Sequence, residues 1–352
     1  MNKAKVHSLC TALLASVGMS FLVPAPNAAA ADTQVALVVP GPNAYFDPWR
    51  LAIEDASKTY GFRGIFAVPA TDAFNLTQEN ALLDSLAARG YTGFALFPGD
   101  SHGTNAEEGK LTRRGISTVN INGCTYDPSP AAFCISTDIY NAAAYQASEL
   151  IKAIGGSGDI ALLASQLTDP NTQLRIQAVK ATVAATGDKV HLVQIVADID
   201  TPQLSPPAVN ALLAARGDTL AGAMSTSYNP SIAMAVALTD NLQFRRVKFI
   251  GADAAPQVMD AIRKGYITGT LFQNTYGMGY AGAYAAYKMA HDGCTVRPDA
   301  PFSKSLQTAK QLTAGVLLVT QANVAQYPGP ASLPDDTKHL IGAIDGQVLH
   351  CP

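Results

Sequence analysis

The residues best suited to chemistry sit in short polar segments that each follow an apolar run. These read Pro40-Gly41-Pro42-Asn43-Ala44-Tyr45-Phe46-Asp47-Pro48-Trp49, Pro98-Gly99-Asp100, Asn120-Ile121-Asn122, Asp169-Pro170-Asn171, Tyr228-Asn229-Pro230, Gly251-Ala252-Asp253 and Gln273-Asn274. Their amides and carboxylates donate and accept hydrogen bonds, while Tyr45, Phe46 and Trp49 can cover flat apolar faces. That combination suits gripping a small hydroxylated molecule. The same residue types also build turns and helix caps. Capping is the preferred reading for Asn229 and Asp138, whereas for Asp253, between an apolar strand and an apolar helix, both readings stay open.

Catalytic and metal signatures are weak. HExxH, GxSxG and GxxxxGK[ST] are all missing from the sequence. Asp100 and Asp253 could act as a carboxylate pair for glycoside hydrolysis, but His102 is the one histidine in the loop motifs that could serve as a base. Gly277-Met278-Gly279-Tyr280-Ala281-Gly282 matches GxGxxG; with no Glu after it, it reads as small residues for close helix packing. Asp198 and Asp200 lack the rest of a calcium loop and read as a solvated turn. No CxxC spacing supports zinc. No cofactor is expected, and no enzymatic activity.

Positioning these loops requires a repeated alternation of elements. Apolar runs predict strands over 34–39, 64–68, 93–97, 118–121, 133–136, 159–163, 191–197, 222–224, 247–250 and 268–272. Helical patterns fall over 48–60, 77–89, 106–114, 140–154, 171–185, 208–216, 231–239, 256–264 and 278–291. Strands alternating with helices argue for an α/β fold with parallel sheets covered on both faces. Ten strands exceed one comfortable sheet and predict two doubly wound lobes. In such sheets ligands sit beyond the carboxyl ends of the strands, where the polar segments lie.

The chain has 352 residues, 48% hydrophobic and 14% charged, with a formal charge of -3. This is a globular balance with no basic surface for nucleic acid. Residues 1–31 combine Lys3 and Lys5, an apolar stretch and Ala28-Ala29-Ala30-Ala31, the pattern of a cleavable secretory signal peptide. The mature chain is then expected outside the cytoplasm. Cys124, Cys134, Cys294 and Cys351 remain after cleavage, an even number that suggests two disulfides in an exported protein. Of three connectivities, Cys124–Cys134 with Cys294–Cys351 is favoured.

Three pieces carry a family resemblance: the Asn43-x-Tyr45-Phe46 loop, the unit Phe249-Ile250-Gly251-Ala252-Asp253, and Thr268-Gly269-Thr270-Leu271-Phe272-Gln273. In this order they resemble the type I periplasmic substrate-binding proteins of ABC sugar importers, the ribose-binding-protein-like group, over residues 34–320. The resemblance implies two lobes joined by a three-strand hinge, with crossings near Asp138, near Gln273 and between Lys304 and Thr313. The first lobe would hold 32–138 with 274–305, and the second 139–273 with 306–352. Asn43, Tyr45 and Phe46 resemble first-loop contacts, Arg175 the second-lobe arginine, and Tyr228, Asp253 and Gln273 the later contacts. Phe97 falls where relatives place a polar contact, and Asn122-Gly123 replace an Asp-Arg pair. These departures point from an ordinary aldose toward a polyol, a modified sugar or a less polar solute. The expected ligand residues are thus Asn43, Tyr45, Phe46, Trp49, Phe97, Asp100, Asn122, Asn171, Arg175, Tyr228, Asp253 and Gln273. The expected role is that of a monomeric periplasmic protein that captures a sugar, polyol or similar solute and delivers it to an ABC permease. A ligand-sensing partner of a chemoreceptor or sensor kinase, or an exported glycoside hydrolase, are the alternatives.

Overall fold

Strands covered on both faces must be apolar along their length. Val35, Ala36, Leu37 and Val38 meet that condition, as do Phe94, Ala95 and Leu96, and then Ile160, Ala161, Leu162 and Leu163. In the computed structural model these runs are the centres of two six-stranded sheets. The structure describes Met1 and residues 33–71, 74–167, 169–327 and 334–352. Apart from Met1, the expected signal peptide lies outside the described residues.

The first sheet contains β1 (Gln34–Val38), β2 (Arg63–Ala67), β3 (Gly93–Leu96), β4 (Ser117–Ile121) and β5 (Cys134–Ser136). The second contains β6 (Gly158–Leu163), β7 (Val190–Val196), β8 (Leu220–Ser225), β9 (Lys248–Ala252) and β10 (Gly269–Gln273). The later strands are β11 (Thr295–Val296), β12 (Gln311–Thr313), β13 (Val316–Thr320) and β14 (Leu349–His350). Sheet orders are β12-β5-β4-β3-β1-β2 and β13-β10-β9-β8-β6-β7, with β11 and β14 as a small separate pair. Among the described residues, only β13, against β10, runs antiparallel within the two large sheets. Both orders reverse direction beside their first strand, at β1 and at β6. Crevices at such switch points receive ligands in doubly wound sheets.

The helices between strands are α1 (Asp47–Tyr60), α2 (Leu76–Ala88), α3 (Thr104–Arg113), α4 (Ile139–Ala153), α5 (Pro170–Ala184), α6 (Ser205–Arg216), α7 (Tyr228–Asp240), α8 (Pro256–Arg263), α9 (Thr275–His291) and α10 (Pro334–Ala343). Asn75, Asp138, Asp169 and Asn274 start four of them by accepting hydrogen bonds from first-turn amides. The 277–282 glycine motif lies in α9, where it lets the backbone come close to its neighbours. A Cβ on Gly279 would sit 2.8 Å from Trp49 Cδ1, and one on Gly282 2.5 Å from Ile121 Cγ2.

The chain passes between the sheets at 137–138, at Asn274 and at 314–315. Thr137 Oγ1 donates to the Gly315 carbonyl at 3.3 Å, tying two of these strands together. Gly315 has a φ of 74°, which suits glycine at the tight step from one sheet to the other.

The expected lobe boundaries need correction after residue 306. Strand β12 pairs with β5 in the first sheet, so the third crossing falls after Thr313. After β13 the tail returns: Leu340, Ile344, Val348 and Leu349 join the core that holds Leu37 and Trp49. The Cys294–Cys351 bond, like Cys124–Cys134, is present. It binds the C-terminus to the end of α9, so residues 334–352 belong with the first lobe.

Candidate ligand cleft

Two residues that end strands do so with a positive φ. Asn122 after β4 and Asp253 after β9 both have φ 65°. Asn and Asp tolerate this left-handed region better than most residues. Backbone hydrogen bonds hold each in place. Asn122 N–H donates to the Ile135 carbonyl at 2.8 Å, and its own carbonyl accepts from Ser136 Oγ at 2.6 Å. Asp253 N–H donates to Leu271 O at 2.9 Å, and Thr270 Oγ1 donates to Asp253 O at 2.7 Å. Backbone held this way at strand ends is a frequent feature of ligand clamps.

Side chains from both lobes meet at these two points. The Tyr45 hydroxyl donates to Asn122 Oδ1 at 2.7 Å. Its ring meets Tyr228 of the second lobe edge-on, with centroids 6.5 Å apart. Gln273 Nε2 donates to Asp253 Oδ1 at 3.4 Å, while the buried Gln273 Oε1 has no hydrogen-bond partner. The Arg175 side chain, on α5, makes no hydrogen bond or ion pair among the described residues. Its positive charge nevertheless acts on Asp253, Asp200 and Tyr45.

Burial dominates the electrostatics. It pushes the Asp253 carboxyl up to about 7 against the opposing pull of Arg175 and the Gln273 hydrogen bond, with Asp200 adding to the rise. Burial also raises Tyr45, reinforced by the Asp253 charge. Buried polar groups cost stability unless paired. Gln273 Oε1 is joined by Thr226 Oγ1 and Ser227 Oγ as unpaired buried atoms at the second-lobe strand ends. Their hydrogen-bonding capacity is left unused by the protein at this edge.

Several expected contacts serve other roles. Trp49 is fully buried and its indole N–H donates to the Thr275 carbonyl at 2.6 Å, so it is a core residue and not a cleft residue. The helical spacing that buries Ala52, Ile53 and Ala56 also turns position 49 inward. Phe46 lies 6% exposed in the same core, edge-on to Phe97 at 5.8 Å. The Asp100 carboxylate is taken up by its own turn, accepting from His102 and Gly103 N–H at 2.9 and 2.8 Å. Asn43 Oδ1 likewise accepts from Tyr45 N–H at 2.9 Å, so it fixes the loop that presents Tyr45. Asn171 is buried, and its Oδ1 accepts from Gln307 Nε2 of the first lobe at 3.4 Å.

Asp200, read from the sequence as part of a solvated turn, instead lies beside Arg175 and the start of α7 at the candidate cleft. Its Oδ1 accepts from Asn229 N–H at 2.9 Å and Nδ2 at 3.0 Å, which fixes the start of α7 and thereby Tyr228. Burial raises its carboxyl, and Arg175 pulls the other way. The sequence signal was slight, an acid four residues past the end of β7. Gln307 was missed too, because its loop lies outside every strand–helix unit.

A family model described as a periplasmic binding protein domain matches residues 35–293. Solved structures share the fold at low identity. A sugar-binding protein of a sugar ABC transporter from Bacillus halodurans is 20% identical, with a TM-score of 0.71 over 84% of this chain and 99% of that one. A Burkholderia graminis ABC transporter solute-binding protein in complex with D-arabinose is 21% identical, with a TM-score of 0.73 over 85% and 98%. A further Bacillus halodurans solute-binding protein, with bound myo-inositol, is 17% identical, with a TM-score of 0.72 over 85% and 98%. No curated protein sequence matches. With the family match spanning most of its length, this chain belongs to the periplasmic binding protein domain family.

Proposed function

We propose that this chain is an exported solute-binding protein that captures a sugar or polyol between its lobes and hands it to an ABC permease. The observation that carries the reading is the convergence of Tyr45 and Asn122 from one lobe with Arg175, Tyr228, Asp253 and Gln273 from the other. The D-arabinose and myo-inositol complexes of its structural relatives support it. Asp253 accepts hydrogen bonds from hydroxyls, Arg175 donates charge-assisted ones, and Gln273 does both. Because each lobe supplies part of the cage, a bound solute favours the closed arrangement through contacts available only there.

A thermal-shift screen with sugars, polyols and sugar acids tests this. A true ligand at 100 times its dissociation constant stabilises the fold by ~2.7 kcal/mol. Calorimetry on Asp253→Ala and Arg175→Ala should then show binding abolished in a folded chain. A panel that stabilises nothing, or unchanged affinity in both variants, overturns the reading.

A further inference from the structure

A hollow of about 20 Å3 lies in the second lobe, walled by Gln146 of α4, Arg175 of α5, Thr226 after β8 and Gln273 of β10 among others. It is far smaller than the ~300–1,000 Å3 of small-molecule pockets, but one water needs only ~10–15 Å3. Volume alone would leave it a packing void. Its polar walls argue otherwise. Thr226 and Gln273 are 6% and 8% exposed, and Thr226 Oγ1 and Gln273 Oε1 have no protein partner. The Arg175 guanidinium likewise makes no hydrogen bond or ion pair among the described residues. A buried water is held by roughly two to four polar partners, and these groups supply three.

The neighbouring donors are already committed. Gln146 Nε2 donates to the carbonyls of Ser225, Ile250 and Gly251 at 2.8, 3.1 and 2.7 Å. Gln273 Nε2 donates to Asp253 Oδ1, which leaves Gln273 Oε1 as a pure acceptor. The pattern of donors and acceptors then selects the guest. Arg175 can only donate, Gln273 Oε1 can only accept, and the Thr226 hydroxyl can do either. A halide would accept from Arg175 but has no hydrogen to give Gln273, and a metal cation would face the guanidinium. Water accepts from the first and donates to the second.

We infer that this hollow is the site of one structural water, which accepts from Arg175 and donates to Gln273 Oε1 and Thr226 Oγ1. The water links Arg175 to the Gln273–Asp253 pair and holds these groups oriented before a solute arrives, which makes Thr226 a positioning residue. The site itself is independent of the capture reading; its effect on affinity rests on that reading. Crystals of the unliganded chain that diffract well enough to show ordered waters test it. A density peak is expected within hydrogen-bond reach of Gln273 Oε1, Thr226 Oγ1 and the Arg175 guanidinium. Thr226→Val removes the peak and Thr226→Ser keeps it. Calorimetry with glucose, galactose, xylose and sorbitol reads the consequence. Any of these that binds the natural chain binds Thr226→Val about three- to tenfold more weakly and Thr226→Ser within about twofold, the worth of one hydrogen bond. No peak in the natural chain overturns the site, as does a peak that soaked bromide replaces, recognised by its anomalous scattering. An unchanged peak with unchanged affinity in Thr226→Val overturns the role of Thr226. If Thr226→Val fails to fold, the peak in the natural chain decides alone. A natural chain that binds none of the four counts against the capture reading, and the water then stands or falls on its density.

Discussion

The hydroxyl of Tyr45 donates to the side-chain oxygen of Asn122 across 2.7 Å, joining the first loop to the end of β4. Asn122 Oδ1 thereby accepts one hydrogen bond, and in the proposed site its Nδ2 is the donor left for a solute. Tyr45→Phe keeps the ring against Tyr228 but frees the amide to rotate. The net value of such a bond is ~0.5–1.5 kcal/mol, so solute affinity should fall about three- to tenfold with little change in melting temperature. Calorimetry beside a thermal melt separates the two; an equal loss of stability and no loss of affinity would assign the bond to the fold alone.

Two buried carboxyls of the first lobe make stability depend on pH. Burial pushes Glu79 and Glu108 up to about 7, against hydrogen bonds from Thr104 and Gly99 to the first and from Asn120 and Thr125 to the second. In the unfolded chain a glutamate titrates near ~4.3. Between these values the folded state holds more protons than the unfolded one, so stability falls as pH rises through the window. The slope is at most ~1.4 kcal/mol per pH unit for each group. The chain should melt at a higher temperature at pH 5.5 than at pH 7.5. Glu108→Gln should reduce that difference, since its amide is neutral at every pH and its Oε1 can still accept from Asn120 Nδ2. Identical slopes in both proteins would remove Glu108 from the account.

The C-terminal tail is held to the first lobe by the Cys294–Cys351 bond, which closes a separation of 57 residues. Loop entropy assigns such a bond ~4 kcal/mol, against ~3 for the ten-residue Cys124–Cys134 loop. Cys294→Ser should therefore lower stability more than Cys124→Ser. It should also expose 334–352 to proteolysis, while solute affinity is retained. Equal losses in denaturant unfolding would show that the tail is held by the packing of Leu340, Ile344 and Val348 instead.

Much of this architecture was legible because parallel strands are apolar throughout. The ten strands β1–β10 each fall on a run such as Val35-Ala36-Leu37-Val38, and the helices between them carry spaced apolar residues. The short β12 reads Gln-Leu-Thr and has no such run. It becomes a strand only because β5 offers an edge, which is information that lies far away in the chain. The swing of residues 334–352 back to the first lobe was invisible for the same reason, although a Cys294–Cys351 pairing already implied it. Among the proposed site residues, the sequence placed Asp253 just after β9, Gln273 at the end of β10 and Tyr45 in the loop that follows β1, where the structure also has them. Trp49 was misread because the loop motif contains it, while one turn of α1 buries it under Gly279. Asp100 and Asn43 were misread in part because a carboxylate or amide in a turn serves its own backbone first.

Asp253 should make solute binding pH-dependent in a direction opposite to that of stability. Its carboxyl titrates at about 7 when buried beside Arg175 and Gln273. A solute hydroxyl that donates to the ionised carboxylate binds that form better, so binding lowers the pKa and affinity drops as pH falls through 7. The drop is at most ~tenfold per pH unit below the free value, because one proton is exchanged. Calorimetry from pH 8.5 to pH 6 should show this loss in the natural chain. Asp253→Asn should bind more weakly and without the pH dependence, since its amide keeps an acceptor but cannot ionise. A natural chain whose affinity is flat across the range would mean that Asp253 does not accept from the solute, and the charge facing Arg175 would then serve only to hold the cleft.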